Sequence, residues 1–409
     1  MASRTSSAIS LTKTIIGAGL LSMPLAFSTD GIVVGVIIIL VAAITSGYGL
    51  FLQAYVSRYT SPGHATFFAL SSLTYKSLSV VFDLAIAIQC FGCAILYLVL
   101  VGDIMPTIFG SPFWLPKVFW ILASTFVCVP LSFLRNLDSL KYSSILGLAA
   151  IAYMSILVIF HFFLGDAYVP GERHLVPQSA WGVFSTFSII VFAFTGHQNM
   201  FSIINEASDR SLQGLTSLIA TAILASSGLF VAVGLAGYLT FGDLVSGNII
   251  LLYSHSLSAT FGKLCIVFMV LFSFPLMLHP ARISVNNIYQ WLIRPKEPTA
   301  EIDDETPLLA SQAPSPPIEK TFVPLTVILL VVGYILAVSV KSFALVLAVV
   351  GATGSTAISF ILPGLFGYKL IGSELAIISR YEKLLKSLSL LLVVWGIVVM
   401  VVCLYVSLR

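Results

Sequence analysis

Residues 31–56 read GIVVGVIIILVAAITSGYGLFLQAYV and contain no Asp, Glu, Lys or Arg. A second run without these charged residues spans residues 180–205. An α-helix rises about 1.5 Å per residue, so about 20 apolar residues cross the hydrocarbon core of a bilayer. Both runs are long enough, and each of them predicts a transmembrane helix.

The rest of the chain is also rich in apolar residues and poor in charged ones. Of its 409 residues, 58% are hydrophobic and 9% are charged, and the mean hydropathy is +1.04. Soluble domains carry roughly 25% charged residues, so this composition excludes a water-soluble globular protein. The chain is therefore predicted to be an all-α integral membrane protein. Residues 1–10 are polar, and no small-residue cleavage site follows the next apolar stretch, so we expect no cleavable signal peptide. We therefore expect that apolar stretch to be the first membrane helix.

The apolar runs predict about eleven transmembrane helices. The predicted spans are residues 8–28, 31–56, 78–104, 117–134, 142–165, 180–206, 214–240, 258–282, 321–340, 343–366 and 385–408. Residues 295–320 are rich in Pro, Glu, Asp and Ser, which predicts a disordered cytoplasmic loop. This loop divides the chain into residues 1–294, with helices one to eight, and residues 321–409, with helices nine to eleven.

The distribution of Lys and Arg predicts the orientation of these spans. Positively charged residues accumulate on the cytosolic side of membrane proteins. With the N-terminus in the cytosol, fifteen of the 20 Lys and Arg residues fall at cytosolic helix ends or loops and five on the opposite side. We therefore expect a cytosolic N-terminus and a lumenal C-terminus, which requires an odd number of spans.

Two of the spans are interrupted. Span one contains Gly17 and Gly19, which weaken a helix, and Pro24, which lacks a backbone donor. Span six contains the sequence TGHQN at residues 195–199, which places His, Gln and Asn at bilayer depth, where polar groups must be paired or face water. The glycines are also compatible with close helix packing, and His197 with a partner inside the bundle.

The interruptions lie at corresponding positions of two five-span halves, residues 8–165 and the half that begins at residue 180. Interrupted helices at matching positions point to a transporter site between inverted repeats. Free N–H groups at a half-helix start bind a carboxylate and free carbonyls bind an ammonium group, so an α-amino acid is the expected substrate. The predicted substrate-binding residues are Ile16, Gly17, Ala18, Gly19, Leu20, Phe192, Thr195, Gly196, His197 and Gln198.

Four motifs in order resemble those of the amino acid/auxin permease family. They are GAGLLSMP at 17–24, FAFTGHQNM at 192–200, SFP at 273–275 with HPAR at 279–282, and GATGST at 351–356 with FILPG at 360–364. The short N-terminus and residues 194–206 are most similar to fungal vacuolar amino-acid transporters. The resemblance implies the LeuT-type fold, with five-plus-five inverted repeats, an eleventh helix and alternating access. It also implies amino-acid transport in a vacuolar or lysosomal membrane rather than the plasma membrane.

The coupling ion is not decided by this resemblance. Sodium-coupled relatives usually carry Asn four residues before the first glycine of span one, where this chain has Lys13, whereas Ser273 fits the second half of their sodium site. A Lys ammonium repels sodium, although it can also extend to the cytosolic surface. Proton coupling is therefore favoured over sodium coupling. His197 is the leading proton carrier because an unperturbed histidine titrates between about pH 5 and 8.

Asp83 in span three is a second coupling candidate, with a structural hydrogen-bond partner as its alternative. Two other functions remain open: a sodium-coupled symporter of the plasma membrane, and an amino-acid sensor that retains the binding site but signals through a partner. The loops are too short for a catalytic domain, so we expect no enzymatic activity, no cofactor, no metal and no nucleic-acid partner. Amino acids and bilayer lipids are the expected partners.

Residues 304–309, DETPLL, resemble the acidic dileucine signal that vesicle-coat adaptor proteins bind; the alternative is an ordinary linker. Asp304 would supply the acidic position, and Leu308 and Leu309 the apolar pair. We predict that the double substitution Leu308→Ala and Leu309→Ala moves a fluorescently tagged protein from the vacuolar membrane to the plasma membrane, because the adaptor loses its apolar contact. Live-cell microscopy measures this location.

A matched control is the double substitution Gln312→Ala and Ser315→Ala in the same loop, which leaves the signal intact and should leave the location unchanged. A dileucine variant that stays in the vacuolar membrane would show that residues 304–309 are only a linker.

Overall fold

The computed structural model describes residues 3–109, 116–134, 141–169, 171–253, 256–293, 319–340, 342–374 and 378–409. The elements in these ranges are helical. The α-helices are α1 (Arg4–Ile15), α2 (Met23–Asp30), α3 (Ile32–Val56), α4 (Phe67–Thr74), α5 (Ser79–Ile108), α6 (Lys117–Ala123), α7 (Thr125–Ser132), α8 (Lys141–Leu164), α9 (Ala180–Ala193), α10 (His197–Glu206), α11 (Leu212–Phe241), α12 (Leu257–Ile293), α13 (Glu319–Ser339), α14 (Phe343–Val350), α15 (Leu362–Leu370) and α16 (Arg380–Ser407).

The predicted all-helical membrane architecture is confirmed. Within the described ranges, nine helices are long and apolar enough to cross a bilayer, and the broken pair Arg4–Ile15 and Ala18–Asp30 is a tenth candidate that bends by 47°. A shorter apolar segment, Lys117–Ser132, lies in the region predicted as span four. The described helices thus occupy all eleven predicted regions, while the count of eleven stays a prediction.

The structure contains a short α-helix that the apolar pattern did not predict. Helix α4 lies between the second and third predicted spans, and the Thr66 hydroxyl accepts a hydrogen bond from Ala69 N at its start. A threonine side chain in this position satisfies a free N–H group and so fixes where a short helix begins. The predicted loop 295–320, with the segment 304–309, lies outside the described residues except for its last two positions, which begin α13.

The most buried spans are α5 and the segment Phe343–Leu370. In the latter segment, two π-helical stretches, Gly351–Ser355 and Ala357–Ile361, interrupt the α-helical geometry. π-helical turns are rare and occur frequently at functional sites. By contrast, α13 and α16 expose apolar side chains along one face, as expected for helices that contact lipid.

Helix α3 packs tightly against the segment Ala357–Ile361 because of one glycine. A Cβ atom on Gly49 would overlap the carbonyl oxygen of Ser359 and would lie 2.8 Å from Nε2 of His197. On the same helix, a Cβ atom on Gly47 would lie 3.6 Å from the Ile223 side chain, which is an ordinary contact. The contact between these two elements therefore depends on the missing side chain at position 49.

We predict that Gly49→Ala lowers the thermal unfolding midpoint of the detergent-solubilised protein. An extra methyl group in a packed interior costs about 1–3 kcal/mol, because neighbouring groups must move. Gly47→Ala is the matched control on the same helix and should be neutral or stabilising, since alanine gains about 1 kcal/mol of helix propensity over glycine. Equal midpoints for the two variants would contradict this account of the contact.

Candidate functional site

The first predicted span is broken at Gly17. Helix α1 closes with the Ile16 N–H donating to the Thr12 carbonyl at 2.8 Å, and Gly17 is extended, with φ −122° and ψ −150°. A short 3₁₀ helix, Ala18–Ser22, follows, and Pro24 occupies the first turn of α2, where a missing N–H group is tolerated. The last carbonyls of α1 and the first N–H groups of the 3₁₀ helix therefore meet at the break.

The sixth predicted span is broken between α9 and α10. The Phe194 N–H donates to the Ile190 carbonyl at 3.0 Å, and the Thr195 hydroxyl donates to the Val191 carbonyl at 2.7 Å, so α9 ends in a tight turn. Gly196 then precedes α10. Because helix N-termini carry free N–H groups and a partial positive charge, this break favours a negatively charged group.

The two breaks lie directly against each other. A Cβ atom on Gly19 would lie 2.7 Å from Cβ of Ala193, and a Cβ atom on Gly196 would lie 2.9 Å from the Ile15 side chain. These distances are too short for real side chains. Glycine at both positions therefore allows the backbones of the broken spans to approach each other.

A cavity of about 340 Å³ lies beside these breaks. It extends from the breaks along α1 to Ser7 and along α10 to Glu206. We call the end of the helix bundle where α1 begins and α10 ends the α1 end, and the opposite end, where α2 ends at Asp30, the α2 end. Nine predicted site residues line the cavity: Lys13, Ile16, Gly17, Ala18, Gly19, Phe192, Thr195, Gln198 and Ser273.

His197 does not line the cavity. Its side chain is fully buried, with Nε2 3.1 Å from the Ser46 carbonyl oxygen and Nδ1 3.0 Å from the Ser359 hydroxyl. These partners suit a neutral ring that donates from Nε2 and accepts at Nδ1. The Gln53 amide also donates to the His197 carbonyl at 3.2 Å. The ring therefore connects the break to α3 and the segment Ala357–Ile361, and its roles in substrate binding and proton transfer stay predictions without a contact to the cavity.

Three further predicted residues do not line the cavity. Leu20 is buried in the 3₁₀ helix, and Gly196 packs against α1 as described above. Asp83 accepts a hydrogen bond from the Asn287 amide at 3.1 Å, at the contact between α5 and α12. This bond provides the structural partner that the sequence left open for Asp83, and a coupling role for Asp83 stays a prediction.

Sequence reasoning missed the face that α5 contributes to the cavity. Gln89, Cys93 and Tyr97 line it at intervals of four residues, as one helical face does. The Gln89 Oε1 accepts a hydrogen bond from the Ser355 hydroxyl at 2.7 Å, whereas its Nε2 lies 3.5 Å from the Cys93 sulfur, which is a weak acceptor. An amide inside an apolar span was the available signal, because polar groups at that depth need a partner.

The cavity has a mixed polar and apolar lining and carries little charge. Lys13 and Glu206 are the charged residues among those that line it. Gln198 lines it as well, and its Oε1 is buried without a hydrogen-bond partner among the described residues. An unpaired carbonyl oxygen beside two helix breaks provides an acceptor for an ammonium group or for water.

The comparisons with known proteins identify the family of the chain. Residues 1–409 match the family described as "Transmembrane amino acid transporter protein". The chain is 40% identical to Vacuolar amino acid transporter 7 of Saccharomyces cerevisiae, over 98% of this chain and 97% of the relative. It is 39% identical to Vacuolar amino acid transporter 6 of the same yeast, over 100% and 99% of the two chains. It is also 40% identical to Vacuolar amino acid transporter 5 of Schizosaccharomyces pombe, over 98% and 93%.

These matches cover the whole chain and confirm the resemblance drawn from the four motifs. They also place the protein among transporters rather than enzymes. The chain belongs to the transmembrane amino acid transporter family.

Proposed function

We propose that this protein is a secondary active transporter that carries amino acids across the vacuolar membrane by alternating access. The observation that carries the proposal is the cavity of about 340 Å³ lined by both helix breaks. Relatives with vacuolar names, aligned over nearly the whole chain, support the vacuolar membrane as its location.

The proposed architecture is the LeuT-type fold with eleven spans, a cytosolic N-terminus and a lumenal C-terminus. The bent pair in span one, the short pair α6 and α7, and breaks at the first helix of each half support it. The excess of Lys and Arg supports a cytosolic location for the α1 end. Because the cavity reaches that end along α1 and α10, we infer a cytosol-facing conformation.

The groups that surround the cavity suggest how a substrate binds. Its carboxylate would accept hydrogen bonds from the N–H groups at the starts of the 3₁₀ helix Ala18–Ser22 and of α10. Its ammonium group would donate to the last carbonyls of α1 and to Oε1 of Gln198. The substrate side chain would then face α5, where Gln89 and Tyr97 lie. The volume is at the lower end of the range for small-molecule sites, about 300–1,000 Å³.

Proton coupling is the proposed energy source, and sodium coupling is the alternative. Lys13 and Ser273 line the same cavity, so the Lys13 ammonium stands near the position where sodium would bind in the sodium-coupled relatives. Among the described residues, Lys13 has no carboxylate ion pair that would neutralise its charge. An unpaired ammonium group in a membrane cavity disfavours a second cation by direct repulsion.

We predict that Gly17→Val strongly slows transport without destabilising the protein. A Cβ atom on Gly17 would meet no atom within 4 Å, and its extended backbone accepts any residue, so the new side chain projects into the cavity. Radiolabelled amino-acid efflux from proteoliposomes should fall by at least about tenfold, corresponding to about 1.4 kcal/mol of lost substrate binding. The unfolding midpoint should be unchanged.

The control for Gly17→Val is Gly228→Val on α11, where an added Cβ atom also meets nothing within 4 Å but the position does not line the cavity. Normal efflux in both variants would rule out the cavity as the transport site. Amino-acid binding without efflux in the unmodified protein would favour the alternative function, an amino-acid sensor.

We predict that efflux depends on a proton gradient and not on sodium. In proteoliposomes with an acidic interior, a protonophore should slow efflux by at least about fivefold, within the usual range of coupling between two sites. Replacement of sodium by potassium should leave the rate unchanged, because Lys13 repels a bound cation. Efflux that requires sodium and ignores pH would instead support the sodium-coupled alternative.

A further inference from the structure

A buried carboxyl group lies at the α2 end of the bundle. Asp30 is the last residue of α2, and its side chain is fully buried. Its Oδ1 accepts a hydrogen bond from the Thr186 hydroxyl of α9 at 2.6 Å. Its Oδ2 is also buried and has no hydrogen-bond partner among the described residues. The carboxyl group therefore joins α2 to α9, and one of its oxygens is left unsatisfied.

The chain between α8 and α9 covers this carboxyl group. The Ile32 N–H donates to the His174 carbonyl at 3.1 Å, and the Val33 N–H donates to the Leu175 carbonyl at 3.0 Å. Gly31 lies between them and Asp30, with a φ of 74°, a backbone conformation that suits glycine. A Cβ atom on Gly31 would lie 2.6 Å from the backbone of Val176. Residues 174–176 thus lie directly over the end of α2, and we call them the cover segment.

No charge balances Asp30 in the described part of the chain. The elements packed against α2 are α3, α9, α11, the 3₁₀ helix Ala18–Ser22 and the turn Gly242–Leu244. Neither α9 nor the 3₁₀ helix carries an ionisable side chain. The ionisable groups of the other elements and of the chain around the cover segment are Tyr48, Tyr55, Glu172, Arg173, His174, Tyr238 and Asp243.

These ionisable groups interact with residues other than Asp30. Tyr238 accepts a hydrogen bond from His174 N at 2.6 Å, and Asp243 accepts one from Glu172 N at 3.0 Å. Arg173 donates to the Leu239 carbonyl at 3.0 Å, and the His174 ring lies 3.5 Å from the Glu172 carboxylate. Tyr48 and Tyr55 of α3 bond to the residues Leu385, Arg58 and Glu382. An ionised Asp30 would therefore stand in a membrane protein without a counter-charge, which is costly.

We propose that Asp30 is a proton-binding site that controls closure of the α2 end, with its carboxyl group neutral when that end is closed. This inference rests on the proposed function, because it takes the α2 end to face an acidic lumen. A metal cation would need several oxygen ligands, whereas a proton needs a single carboxylate lone pair. The step is a simple protonation, in which a lumenal hydronium ion transfers its proton to the Asp30 carboxylate and leaves water.

The position of Asp30 connects this protonation to the direction of the cavity. While the α2 end is open, water reaches the carboxylate and the proton binds. The neutral group can then be buried between α2, α9 and the cover segment, with the Thr186 hydrogen bond intact. An acidic lumen thus favours closure of the α2 end and a cavity that faces the cytosol, whereas loss of the proton favours opening to the lumen.

The experiment measures which way the cavity faces, using Cys93, which lines it. Cys265 is replaced by Ser because it is partly exposed; Cys93 is 6% exposed, whereas Cys90, Cys128 and Cys403 are at most 1% exposed. In oriented proteoliposomes, a membrane-impermeant maleimide is added on the cytosolic side. We expect the labelling rate to rise by about fivefold when the lumenal pH falls from about 7.5 to about 5.5.

Asp30→Asn should label at the high rate at both pH values, because the amide is neutral and its oxygen still accepts from Thr186. Thr186→Val is the matched control: it removes the hydrogen bond and keeps the carboxyl group, so the pH response should persist. If the role of Asp30 is purely structural, labelling of the asparagine variant would respond to pH as in the unmodified protein. That result would overturn the proposal. Asp30→Ser, a second neutral variant, decides the question if the asparagine variant does not assemble.

The labelling experiment requires no transported substrate, so it separates this inference from the proposed function. Absence of amino-acid efflux in the unmodified protein would overturn the proposed function. Normal efflux, together with a pH response of Cys93 labelling that survives in Asp30→Asn, would overturn only the role of Asp30.

Discussion

The site depends on one constraint of the bilayer: every backbone N–H and C=O group must find a partner, because hydrocarbon offers none. Irregular backbone is tolerated at that depth only where it is buried in protein or lines a polar cavity. Both conditions are met here, since the breaks after α1 and α9 lie against each other and beside one cavity. The groups that cannot bond within a helix are therefore the groups available to a substrate.

The surroundings of the breaks are fixed by close contacts between backbones. Gly49 admits the Ser359 carbonyl against α3, and a Cβ atom on Gly351 would overlap the Ser188 carbonyl of α9. The residues that make these contacts, Ser359 and Gly351, belong to the π-helical stretches Ala357–Ile361 and Gly351–Ser355. In this packed region, residues of separate sequence motifs meet, and His197 and Gln89 form hydrogen bonds to Ser359 and Ser355.

The sequence predicted the spans and the breaks well, because hydropathy and helix-disrupting residues are local properties. It predicted the lining of the cavity less well. His197 and Gln198 are neighbours, yet about 100° separates adjacent residues around a helix, and of the two only Gln198 lines the cavity. Which of the two faces inward depends on how α10 is rotated against its neighbours, and no local pattern contains that information. Tyr97 was missed for another reason: an aromatic residue in an apolar span is equally suited to packing and to lining a cavity.

The extended backbone at Gly17 has a mechanical consequence. Helix α1 spans Arg4–Ile15, and a helical rise of about 1.5 Å per residue makes it about 18 Å long. It is joined to the rest of its span through two non-helical residues, Ile16 and Gly17, and an added Cβ atom on Gly17 would meet nothing within 4 Å. A rotation of about 20° at this joint would displace the far end of α1 by about 6 Å, given the length that follows from the helical rise. The backbone dihedrals of Ile16 and Gly17 would then act as the pivot of a lever that widens or narrows the entrance of the cavity.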